Sequence, residues 1–420
     1  MSSSSQTVQR TPAPGKRHIE WRDVMHDIAA GSVVRSIAAV VLSLIVAAIL
    51  IIFTNEEVLS TLGYFFSRPG DFFVTAGQTI ATSFGAMFRG AIFNTNAATF
   101  EGAIKPLTES LRFAGPLIAA GLGIALTFRA GLFNIGGQGQ LLMGAAWAAW
   151  GATMLHLPPV IHLVVAALMG LVGASLWAGI AGFLKARTGA HEVIVTIMLN
   201  YVALGLVTFA MRSPILNGTS TGSAATTLPP DPNAVFPRLL GDGFELRWSF
   251  VLCILAVVVF WWIMERSALG FRLRMVGLNP DAARSAGVNV SRAIIAAMLL
   301  SGAFVGVAAV NQALGRDGNF GPSIDAGIGF TAITVALLGG SRAVGVLFAG
   351  LLFGALQAAR PAMQVVDVSP EILGVIQGLI VLFIAAPPLV KAIFPFLPAP
   401  REIKDVATGA RPQLERKDDE

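Results

Sequence analysis

Ten apolar stretches recur along this chain, at 34–53, 107–128, 131–155, 159–184, 192–211, 248–264, 293–314, 325–340, 343–360 and 370–391. Each approaches the roughly 20 residues that a helix needs to cross a bilayer. Glycine-rich, polar or charged residues separate them, so the pattern predicts an all-α polytopic membrane protein of about ten transmembrane helices. The first run, Val33–Phe53, is longer than the core of a secretory signal peptide and lacks a small-residue cleavage site, so it reads as a retained span. Two stretches depart from the pattern. Phe72–Phe93 is apolar enough to enter a bilayer, yet a full span there would make the count odd and turn later basic loops outward; an external or re-entrant helix is expected instead. Ser213–Arg247, rich in Pro, Gly, Ser and Thr, reads as an external loop, either a contact for an external protein or a tolerated surface insertion.

Composition agrees with the pattern. Of the 420 residues, 55% are hydrophobic and only 13% charged, with a mean hydropathy of +0.71, whereas about a quarter of a soluble domain is charged. The net charge of +5 comes from basic residues between apolar runs and carries no nucleic-acid-binding pattern. The single cysteine, Cys253, lies inside a span, so there is neither a disulfide framework nor a paired-cysteine metal motif. No Walker A sequence and no HExxH occur, which leaves the chain without a sign of nucleotide or zinc chemistry of its own. Residues 1–30 and 397–420, Pro/Ser-rich or charge-rich, are expected to be disordered cytoplasmic termini around a membrane domain at 31–396.

Charge also orients the spans. With the N-terminus inside, 20 of the 29 Lys and Arg fall on the cytoplasmic side and 9 outside, so the positive-inside rule predicts that both termini are cytoplasmic. Arg129, Lys185, Arg187, Arg342 and Lys391 then all mark cytoplasmic ends. Two glycine-rich breaks, RAGLFNIGGQGQLLMGA (129–145) and GRDGNFGPSIDAGIGF (315–330), fall in corresponding places on opposite sides. They suggest an inverted repeat of spans 2–5 and 7–10, unless both are only close-packing contacts between helices.

Candidate chemistry falls into two groups. The first is the basic interruption Glu265–Arg292. Within it, Asn279 and Pro280 supply a cap and a first-turn proline for a short helix through Asp281, Ala282, Ala283 and Arg284, with Gly287 as its stop. Such a helix is too short to be stable alone and suits a partner's groove, although an ordinary surface helix would read the same way. The second group is the polar residues within spans: Asn134, Gln138 and Gln140 near the start of the third, His191, Glu192 and Asn200 in the fifth, and Gln377 in the last. Polar groups in a bilayer are costly and so are translocation-path candidates. Amides offer both donor and acceptor to a neutral solute, but they also bond helix to helix, and His191-Glu192 also reads as an interfacial pair at a helix start. Trp147, Trp150, Trp261 and Trp262 read as interfacial anchors.

The phrase GLNPDAARSAGV (277–288) resembles the coupling loop of ATP-binding-cassette importer permeases of the branched-chain amino acid, simple sugar and nucleoside superfamily. FRAGLFNIGGQGQLLMGA, KARTGAHEVIVTIMLNYVALGL, ERSALGFRLRMVGLNPDAARSAGV and GIGFTAITVALLGGSRAVGVLFAGLLFGALQ are similar, in order over about 105–390, to the larger permease subunit of bacterial nucleoside importers. Gln138 stands where this family often has an acidic residue. The resemblance implies a non-catalytic subunit of a bacterial plasma membrane that forms half of a translocation path. It implies three partners: a cytoplasmic ATPase that binds the ATP and Mg, a second related permease subunit, and an extracytoplasmic substrate-binding lipoprotein. A simple sugar is the alternative cargo. An ATP-independent secondary transporter is the alternative of another class; it would need an acid embedded in the spans, for which only Asp325 and Glu371 come close. A structural membrane scaffold is the third.

Overall fold

A computed structural model describes residues 32–217 and 225–385. The termini expected to be disordered, Lys391, and the last span beyond residue 385 lie outside the described residues. All ten apolar stretches form helices: α1 (Ser32–Thr54), α4 (Phe100–Arg129), α5 (Gly137–Met154), α6 (Ile161–Thr188), α7 (Glu192–Arg212), α9 (Ser249–Arg266), α12 (Val290–Leu314), α13 (Ile328–Leu338), α14 (Ala343–Gln364) and α15 (Glu371–Ala385). Between them lie α2 (Glu56–Leu62), α3 (Pro69–Ala91), α8 (Pro214–Asn217), α10 (Ala268–Leu278) and α11 (Pro280–Ser285). The described residues hold no strand, only an isolated bridge between Arg238 and Arg247.

Seven of these helices are long and apolar enough to cross a membrane: α1, α4, α6, α7, α9, α12 and α14. The other three expected spans are shorter or less apolar. At about 1.5 Å per residue, the eleven residues of α13 cover roughly half of a ~30 Å hydrocarbon core. It is preceded by a single 3₁₀ turn, Pro322–Asp325, because Pro322 and the glycines around it interrupt the helix. Likewise the third span begins at Gly137, six residues later than expected, since Gly131 takes a left-handed φ of +72° and turns the chain. The expected external or re-entrant stretch is the helix α3. It packs against α14, and Ser110 of α4 donates to its Ala91 carbonyl.

Small residues set the packing. A Cβ on Gly302 of α12 would meet the Ala174 carbonyl oxygen of α6 at 2.5 Å, and one on Gly354 of α14 would meet Ala114 of α4 at 2.6 Å. Only glycine lets those backbones approach so closely. The two seams are equivalent. Helix α4 lies along α14 as α12 lies along α6; α4 touches α13 as α12 touches α5; and α4 and α12 pack on each other at the centre. That exchange pattern is what a twofold relation between α4–α7 and α12–α15 would produce, and it supports the expected repeat.

The described 225–247 part of the expected external loop is a folded cover. Its backbone bonds Asp231 N–H to the Ala152 carbonyl at 2.9 Å, Phe236 N–H to Leu314 at 2.9 Å and Thr227 N–H to Phe320 at 2.9 Å, stitching it over the ends of α5 and α12. The opposite ends gather around residues 265–292. There Arg129 Nη1 pairs with Glu265 Oε1 at 2.5 Å, Arg274 with the other Glu265 oxygen at 2.9 Å, and Gly277 lies directly against the Arg129–Gly131 backbone.

Candidate functional site

At the centre of the molecule, the starts of α5 and α13 touch: a Cβ on Gly329 would meet Gln138 N at 2.3 Å. The two glycine-rich breaks are therefore brought together. Each helix start is held by a buried polar side chain. Asn134, fully buried, accepts from Gly136 N–H at 2.9 Å and from Gln140 Nε2 at 3.1 Å, and donates to Ser301 Oγ at 3.0 Å. Asp325 accepts from Gly327 N–H at 3.1 Å and Gly329 N–H at 3.0 Å. These bonds satisfy N–H groups that a helix start leaves without partners.

Asn200 joins the same node from α7. Its Oδ1 accepts from Gly139 N–H at 2.8 Å and its Nδ2 donates to the Ile135 carbonyl at 3.0 Å. Asn134, Gln140 and Asn200 are thus brought together, but as a scaffold; their amides are taken up by the chain itself. Gln138, half-buried, sits beside them and forms no side-chain hydrogen bond among the described residues. His191 and Glu192 are elsewhere: His191 is exposed at the turn between α6 and α7, and Glu192 pairs with Lys185 at 2.9 Å across it, which is the interfacial-pair reading. Gln377 also stands apart on α15, with Nε2 buried and unpartnered. The four tryptophans are exposed on the surface, as anchors would be.

The open polar space lies at another level and was not anticipated from the sequence. A cavity of about 750 Å³ opens on the face covered by the 225–247 segment, lined by Arg112, Arg247, Ser249, Asn311, Asp317 and neighbours. It shares Phe113, Gln312 and Ala326 with a deeper chamber of about 350 Å³ between α4, α12, α13 and α14. Arg247 is 4% exposed and anchors the wall by donating to the Phe236 carbonyl at 2.8 Å and pairing with Asp317 at 2.5 Å. Gln312, Gln357 and Arg360 lie near helix ends that hydropathy assigns wholly to membrane. Only their coincidence across two helices, invisible in a linear pattern, marks them.

On the opposite face stands the short helix. Asn279 caps α11 by accepting from Asp281 N–H and Ala282 N–H, each at 3.0 Å, and Gly287 follows at φ +81°. Asn279, Pro280, Asp281, Ala282, Arg284 and Gly287 are exposed. Ala283 is not. It is fully buried in the chain's own core, so its expected place on the docking surface is corrected: it pins the helix down. The neighbouring helix α10, capped by Ser267, is not marked out by the sequence pattern, because Arg272 and Arg274 interrupt its apolar period; it places Leu278 at the tip, 88% exposed.

Residues 107–385 match the family described as branched-chain amino acid transport system / permease component. The chain is 36% identical over 325 residues to the guanosine ABC transporter permease protein NupP of Bacillus subtilis (strain 168), covering 74% of this chain and 88% of the relative. It is 34% identical over 301 residues to the nucleoside ABC transporter permease protein NupB of Lactococcus lactis subsp. cremoris (strain MG1363), covering 70% and 83%. Over 289 residues it is 37% identical to the glucose ABC transporter permease protein TsgB13 of Haloferax volcanii, covering 66% and 75%. No solved structure matches it. The chain belongs to this family of ABC transporter permease components. It is a transport component rather than an enzyme.

Proposed function

We propose that the chain forms half of the membrane path of an ATP-driven importer for a nucleoside-like solute, in a bacterial plasma membrane with both termini cytoplasmic. The observation that carries the reading is the pairing of two faces: a polar cavity at one end of the helix bundle and a capped, exposed helix at the other. On this reading the cavity receives solute from a substrate-binding lipoprotein, and Asn279–Gly287 with Leu278 docks on a cytoplasmic ATPase, which binds ATP and Mg. The central node of Asn134, Gln140, Asn200 and Asp325 keeps the short helices α5 and α13 end to end between those faces. A second, related permease completes the path; relatives named NupP and NupQ share a species, as do NupB and NupC.

The guanosine and nucleoside relatives favour that cargo, and the glucose relative keeps a simple sugar as the second reading. An ATP-independent carrier is disfavoured because, of the two acids that could serve as its ion site, Asp325 is bonded to two backbone N–H groups and Glu371 is exposed. The test is uptake of radiolabelled guanosine, adenosine and glucose by cells with and without the chain. Loss of nucleoside uptake on deletion, restored by the full chain, is expected; loss of glucose uptake alone would replace the cargo.

A further inference from the structure

The inner chamber carries a hydrogen-bonding inventory that discriminates among solutes. Phe113, Pro116, Leu117 and Ile328 give it flat apolar walls, and its lining contains no carboxylate. Gln312 donates through Nε2 to the Ile324 carbonyl at 3.2 Å, which leaves its carbonyl oxygen as the free acceptor. Thr331 and Gln357 form no side-chain hydrogen bond among the described residues. Arg360, half-buried, forms no hydrogen bond among the described residues; the Glu371 carboxylate is near enough to interact with it electrostatically but makes no direct ion pair, and the Arg360 Nε is buried without a partner. A guanidinium has five donors and no acceptor. A buried donor without a partner carries a desolvation cost that a suitable ligand would remove.

We propose that Arg360 makes this chamber selective for 6-oxopurine nucleosides over 6-aminopurine nucleosides, an inference that rests on the nucleoside reading of the cargo. On one edge, a 6-oxopurine presents two acceptors, O6 and N7, spaced to meet a guanidinium fork; adenine presents on the same edge a donor, N6–H₂, beside its N7 acceptor. Against Arg360 the first edge forms two bonds and the second sets donor against donor. A site built to bond one group rejects the analogue that lacks it far more strongly than an apolar pocket does. The ring itself would lie against the apolar walls of Phe113, Pro116, Leu117 and Ile328. A cationic solute is disfavoured, because the chamber meets it with a positive group and no acid.

The test compares initial uptake rates of radiolabelled guanosine, adenosine and glucose in cells whose own copy is deleted. These cells carry the wild-type chain, Arg360→Gln or Arg360→Lys, with rates normalised to the amount of chain in the membrane. A glutamine amide can donate to N7 and accept from N6–H₂, so Arg360→Gln should lower the guanosine-to-adenosine ratio by about tenfold. Arg360→Lys keeps the charge but loses the fork, and its ratio should also fall; it carries the test if the glutamine variant does not reach the membrane. An unchanged ratio in both variants at matched abundance would overturn the inference while leaving nucleoside import intact. Wild-type cells that take up glucose but neither nucleoside would instead overturn the cargo reading, and this inference with it.

Discussion

Asn200 commits both ends of one amide to the protein's own backbone. Its two hydrogen bonds go to backbone groups at Ile135 and Gly139, where α5 has just begun. Leucine there would strand a buried N–H and a buried carbonyl, each costing about 1–3 kcal/mol. Asn200→Leu should therefore lower the melting temperature of the purified chain and its abundance in the membrane. Uptake per folded copy should change much less, a result to be read from uptake rates against protein level. If uptake per copy collapses while the melting temperature holds, Asn200 acts on the solute and not on the scaffold. The type and depth of this residue were legible in the sequence, because a lone amide in an apolar run is conspicuous. Its partner was not, since the sequence offers backbone N–H groups everywhere and only the fold shows which have been left free. Arg360 illustrates the converse: near the end of a predicted span it reads as a boundary charge, and only the convergence of α4, α12, α13 and α14 turns it towards a chamber.

At the scale of elements, length and hydropathy locate helices well and their breaks poorly. Every apolar run became a helix, since in lipid a backbone must satisfy its own hydrogen bonds. The shortening of α13 came from Pro322 and from glycines whose effect on a span depends on whether a neighbour covers the freed groups, as Asp325 does here. The two glycine-rich breaks hinted at close helix contacts but not at which helices pair. That pairing is testable at Gly302. A leucine side chain there must displace the Ala174–Ser175 backbone of α6, and overpacking of this kind costs about 1–3 kcal/mol or more. Gly302→Leu should reduce thermal stability and membrane abundance sharply, while Gly205→Leu, at a glycine with open space around its Cα, should leave both near wild type. Equal tolerance of the two substitutions would mean that α12 and α6 do not meet as described.

At the scale of the whole molecule, two faces are joined through one hydrogen-bonded centre. The cavity end and the α11 end are built from opposite ends of the same helices, and the touching starts of α5 and α13 lie between them. A partner that shifts α11 would act on α12 and α10, which pack directly against it, and α12 reaches the chamber through Gln312. The helix α11 was legible as a capped turn from Asn279 and Pro280, and its stop from Gly287. Which of its alanines faces outward was not, because a helix of six residues has too little period to assign a face. The structure separates them: Ala282 is exposed and Ala283 buried. The most direct test of an ATP-driven permease is therefore Ala282→Arg in the full complex, purified from membranes through a tag on this chain. We expect the variant to insert at wild-type levels, to recover much less of its ATPase, and to lose guanosine uptake by about tenfold or more, as charge placed in a small hot-spot contact does. Wild-type ATPase recovery together with wild-type uptake would contradict the account, because the exposed face of α11 would then have no part in driving transport.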